Sequence, residues 1–144
     1  MGKQLIYAFV STAAFSILYH IPKRHLLLAS LGGLLSWGCY LLLGNVTENL
    51  FYRVLLVSIL AAAYAEVMAK LRRAPATLYL IPTLIPLAPG SYVYYAMLSL
   101  VQHDLSGALQ NMLLTGQWAV AIGMGISLSG AAEQLLRRRA SRRG

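Results

Sequence analysis

The feature that most narrows what this chain can fold into is its division into about five apolar stretches. Each approaches the ~20 residues that a helix rising ~1.5 Å per residue needs to cross ~30 Å of hydrocarbon. They cover residues 5–20, 26–43, 51–69, 77–101 and 111–136. The second and fourth carry no charged side chain, whereas the third has Arg53 near one end and Glu66 near the other. Only 11% of the residues are charged and 58% are hydrophobic, against roughly 25% and 45–50% in ordinary globular chains. Hydrocarbon leaves no water to satisfy a backbone, so apolar runs of this length read as helices. The expected fold is an all-α integral membrane protein, residues 1–144 forming one transmembrane domain. Lys3 and the run after it lack a small-residue cleavage site before a polar mature sequence, and read as a first span rather than a signal peptide.

A formal net charge of +8 raises the question of nucleic acid. Apart from Lys3 and Arg53, however, the basic residues form three clusters beside apolar runs: Lys23-Arg24, Lys70 with Arg72-Arg73, and the tail from Arg137 to Arg143. Clusters so placed orient spans and touch anionic headgroups; no nucleic-acid partner is expected. The intervening segments, Asn45 to Asn49 and His103-Asp104, lack Lys and Arg. The positive-inside rule then puts the first and third loops and the C-terminus in the cytoplasm. Five crossings satisfy all three, with the N-terminus outside, in a multi-pass protein of the cell (inner or plasma) membrane.

The fourth stretch is broken in the sequence itself. Pro82, Pro86 and Pro89 precede Gly90 inside an otherwise uncharged span. Each interior proline removes a donor and clashes one turn back, at roughly 3 kcal/mol, and Gly90 opens backbone conformations closed to other residues. Discontinuous membrane helices point the free N–H groups of a half-helix at anionic substrate groups. Gly90-Ser91-Tyr92 would open such a half-helix. Pro86, Pro89 and Gly90 would shape the site, Ser91 would cap the helix or donate to a carboxylate, and Tyr94, with Tyr95, would offer a hydroxyl and a ring face. The plainer alternative is a proline kink that only shapes packing.

Glu66 is the second candidate. A carboxylate within a span costs ~2.5–3.5 kcal/mol at full depth, which suggests proton coupling, although pairing with Lys70 one turn later would also account for it. Small residues recur at four-residue spacing in two registers of the last span, Ala121-Gly125-Ser129 and Ala119-Gly123-Ser127-Ala131, and again in the third as Ser58-Ala62 and Ala65-Ala69. Such faces let helices approach closely in lipid, either within these five or with partner helices or a second copy. Cys39 reads as a small buried residue. His20, His25 and His103 read as interfacial polar residues, since none shows the spacing of a metal site. No Walker loop, His-Glu-x-x-His helix or Gly-x-Ser-x-Gly elbow occurs, so neither an enzyme nor a cofactor is expected.

The run Tyr64 to Lys70, the segment Ala74-Pro75-Ala76-Thr77 and the Ile85-Pro86-Leu87-Ala88-Pro89-Gly90 core with Tyr94 and Met97 together resemble the small C-terminal-type domain of the threonine/serine exporter family. Ile21-Pro22-Lys23-Arg24 and Ser30-Leu31-Gly32-Gly33 extend the resemblance less sharply. Ala88 stands where the family commonly has Val. The resemblance implies a five-span unit that works as a separate small subunit with a larger membrane chain, and a secondary exporter of threonine, serine or, in some two-subunit relatives, succinate. Two five-span units of opposite orientation would form inverted repeats. The rival expectation is an accessory subunit that transports nothing and stabilises another membrane protein.

Overall fold

A computed structural model describes residues 2–141, which form helices with no strand among them. In chain order these are α1 (Gly2–Leu18), α2 (Lys23–Leu43), α3 (Leu50–Arg72), α4 (Thr77–Leu84), a 3₁₀ turn (Ile85–Leu87), α5 (Gly90–Val101) and α6 (Leu105–Ser141). The apolar runs fold as helices, with ends shifted by up to six residues. Helices α2, α3 and α6 are long and apolar enough to cross a membrane, and α4 with α5 make a fourth candidate bent by 48°. Helix α1, with 17 residues, is apolar but shorter.

Two ends of the bundle can be told apart by what they bring together. At the basic end the start of α2 meets the start of α4, and the end of α3 meets the far part of α6, where Lys70 Nζ lies 3.0 Å from Glu133 Oε1. At the other end Tyr40, Val54, Leu87 and Trp118 bury one another in a shared cluster. The third helix and the last pack along the first small-residue register: Ala121 and Gly125 of α6 are buried, as are Ser58, Ala62 and Ala65 of α3. A Cβ on Gly125 would come within 2.6 Å of the Ser58 Cβ. The second register, Ala119, Gly123, Ser127 and Ala131, stays exposed. One stripe therefore closes the bundle and the other faces outward.

Four of the hydroxyl groups buried among these helices bond their own backbone, whereas the buried Ser58 hydroxyl at the α3–α6 contact has no partner among the described residues. Thr12 donates to the Ala8 carbonyl at 2.7 Å, Ser16 to Thr12 at 2.7 Å, Ser36 to Gly32 at 2.9 Å and Thr83 to Tyr79 at 2.7 Å. Back-bonding of this kind lets a small polar residue sit in an apolar interface without a distant partner.

Three helices end in the same way, and two of the histidines are explained by it. His20, Arg73 and His103 adopt left-handed backbone, at φ 56°, 50° and 58°. In each case the next N–H bonds the carbonyl five residues back: Ile21 to Ser16, Ala74 to Ala69 and Asp104 to Ser99. This is the Schellman ending, in which glycine is usual. Beyond the third ending, Asp104 accepts from the Gly107 N–H at 3.0 Å and the Ser106 hydroxyl at 2.8 Å. These donors hold its carboxyl below the usual range and start α6.

Candidate functional site

The break expected in the fourth stretch is present, and its geometry follows from the prolines. Pro82 lies inside α4, and the Ile85 N–H turns back to the Pro82 carbonyl in a tighter 3₁₀ bond. The Ala88 N–H closes the turn on Ile85 at 3.1 Å, and Gly90 bonds Ala88 at 2.8 Å. Helix α5 then starts at Gly90 with Pro89 at its N-cap and no side chain capping it. With the Gly90 N–H turned back to Ala88, the next N–H groups of the first turn and the positive end of the dipole are left to other partners.

Two details of the expectation change. Ser91 is not the cap: it lies inside the first turn of α5, exposed, because Pro89 already occupies the cap position. Gly90 does not use the left-handed region, since no described glycine has a positive φ; a Cβ built on it meets nothing within 4 Å. The five residues expected to shape or contact substrate do not line one enclosed pocket. Pro86 borders a cavity of about 320 Å³ with Gln4, Tyr7, Ala8, Ser11 and Trp37. Pro89 is half-buried at the cap. Gly90, Ser91 and Tyr94 are exposed on α5, the Tyr94 ring standing edge-on to Tyr95 with centroids 5.5 Å apart.

Glu66 is half-buried, but Lys70 is paired with Glu133 rather than with it. Glu66 instead lies beside Glu133 and Ser129 of α6. Glu66, Lys70 and Glu133, with Ala69, Ala74 and Ala76, border a cavity of about 210 Å³. Two carboxylates and one ammonium thus meet where α3 and α6 converge, a grouping able to hold a shared proton. Sequence reasoning passed over Glu133 because no spacing rule links it to residues some sixty positions away.

His25 is the other departure. It is buried rather than interfacial, its Nδ1 2.6 Å from the Tyr79 hydroxyl, and Tyr79 is fully buried. The pair joins the first turn of α2 to the first turn of α4, with the charges of Arg24 and Arg72 close by. Replacing Tyr79 by phenylalanine keeps the ring and orphans the buried imidazole nitrogen. The variant is expected to lose about 1–3 kcal/mol of stability, read as a lower unfolding temperature in detergent; an unchanged value would show the bond to be dispensable. Among the described residues no group of His, Cys, Asp and Glu could hold a metal. Cys39 is half-buried and borders a cavity of about 160 Å³ between α2, α3 and α4 with Gly32, Ser36, Tyr64 and Thr83.

Against known proteins, the family model described as "Threonine/Serine exporter, ThrE" matches residues 4–132. No solved structure matches the chain.

Proposed function

Since this chain belongs to the threonine/serine exporter family, we propose that it is the small subunit of a secondary exporter of small amino or carboxylic acids. It works with a second, larger membrane chain, its five spans running from an outer N-terminus to a cytoplasmic C-terminus in the cell membrane. The observation that carries this reading is the family match together with the break at Pro86 to Gly90, which leaves the N-terminus of α5 without a side-chain cap. Uncapped N–H groups and a positive dipole end suit the carboxylate common to threonine, serine and succinate. Pro86, Pro89 and Gly90 shape that half-helix, and Ser91 and Tyr94 contact the substrate from its first turn. Their exposure on α5 fits a pathway completed by another chain, as does the small-residue register left open on α6.

Glu66 carries the coupling proton. Glutamine at this position leaves the Lys70–Glu133 pair in place, so the fold is expected to survive. Efflux is expected to fall roughly tenfold or more, equivalent to at least ~1.4 kcal/mol in the barrier, and to lose its response to an imposed pH gradient. A variant that still follows the gradient would remove Glu66 from coupling.

The decisive experiment is efflux of serine, threonine and succinate from preloaded cells making this chain, its candidate companion, or both. Export by the pair alone supports the two-subunit reading, and the compound released names the substrate. Export by this chain alone would replace the companion with further copies of itself. No export from any combination, with insertion verified, would favour the accessory role.

A further inference from the structure

Arg53 is a charge inside an apolar helix with no acid to answer it. Among the described residues it makes no ion pair, and its buried Nε has no hydrogen-bond partner. Its guanidinium carbon stands 4.1 Å from the centre of the Tyr40 ring. Tyr40 packs at 5.6 Å on Trp118, and Trp118 at 5.3 Å on Tyr92 of the first turn of α5. Trp118 is 6% exposed, and its indole N–H is a second buried donor without an acceptor. Room for the guanidinium comes from Gly44, where a Cβ would lie 2.8 Å from Nη2.

A cation, an orphan indole donor and an uncapped helix N-terminus thus gather around one aromatic cluster. All three favour negative charge, and no carboxylate of the described residues answers them. Buried donors are rarely left unmatched, and a planar guanidinium is the group best suited to grip a carboxylate by two parallel bonds. We propose that Arg53, the Trp118 indole N–H and the first turn of α5 form a carboxylate-binding subsite. It takes the carboxylate of a small amino or carboxylic acid, at the end of the bundle opposite the Glu66 cavity. The proposal rests on the exporter reading for its place in a pathway, and on the unmatched donors for its ligand.

The test uses the purified full chain. Its two tryptophans, Trp37 and Trp118, both lie in this cluster, so their fluorescence reports on it. Serine, threonine and succinate are expected to change the emission saturably, and serinol, an amino alcohol without a carboxylate, to leave it unchanged. R53Q is expected to raise the apparent Kd about ten- to a hundredfold. R53K, which keeps the charge over Tyr40 but loses the fork, should fall between. W118F, read through Trp37, should weaken binding while keeping the aromatic packing. If R53Q does not fold, R53K and W118F carry the result. Absence of any carboxylate response, an equal response to serinol, or unchanged binding by R53K and W118F would overturn the subsite and leave Arg53 an interfacial anchor. Such a failure with efflux intact spares the exporter reading, whereas carboxylate binding without efflux from any combination of chains defeats that reading and keeps the subsite.

Discussion

Leucine at Gly125 is expected to separate α3 from α6 and to leave little folded protein. The first added carbon would already lie 2.6 Å from the Ser58 Cβ, 3.0 Å from the Leu55 carbonyl oxygen and 3.1 Å from the Ile59 nitrogen. Two of these are backbone atoms of α3, which cannot turn aside as a side-chain tip can. The cost should reach or exceed the ~1–3 kcal/mol typical of overpacking, because the branch of leucine has to find space as well. Gly123 is the internal control: a Cβ there meets nothing within 4 Å, so leucine should be accepted. The yield and unfolding temperature of the two variants in detergent check this. Equal stability would mean that α3 and α6 do not owe their contact to the first small-residue register.

Phenylalanine at Gly90 is expected to do the opposite, abolishing export while insertion and folding proceed normally. The position has open space around it and a backbone conformation that other residues adopt, so the fold has no reason to object. The ring would instead stand at the first residue of α5, over the N–H groups proposed to receive a carboxylate. Efflux falling to background, with membrane levels unchanged, is the expected result. Export at the normal rate would take the start of α5 out of the pathway. Together the variants separate a glycine needed for assembly from one proposed to be needed for transport.

Most of the helical layout was legible beforehand because hydrocarbon admits few alternatives. Runs such as 26–43 and 51–69 differ from the observed α2 and α3 by at most three residues at either end. The break at Pro82 to Gly90 was equally legible, since a missing donor and a ring clash act locally. What the sequence did not disclose depends on rotation about helix axes and on distance along the chain. Ala121-Gly125-Ser129 and Ala119-Gly123-Ser127-Ala131 look alike as strings, and only packing against Ser58 decides which turns inward. His25 and Tyr79 are 54 positions apart, and nothing local marks one as the partner of the other. Arg53 could be placed near the end of a span, but not over the Tyr40 ring. Pairing of Lys70 with Glu66 was one of two readings the sequence offered, because i,i+4 pairs are the contacts that sequence displays; in the structure Lys70 pairs with Glu133 from another helix.

The unequal helix lengths have a consequence for the surrounding lipid. At about 1.5 Å per residue the 17 residues of α1 reach ~25 Å and the 31 of the apolar part of α6, Leu105–Leu135, ~46 Å, against a hydrocarbon layer of ~30 Å. Bilayers meet a short helix by thinning and a long one by thickening or by letting it tilt, at a fraction of a kcal/mol per ångström. On the five-span arrangement proposed above, the annulus is pulled both ways at once, inward beside α1 and outward beside α6. Acyl-chain length then enters the energy of any rearrangement that tilts α6 relative to α1, so the same chain should work at different rates in membranes of different thickness.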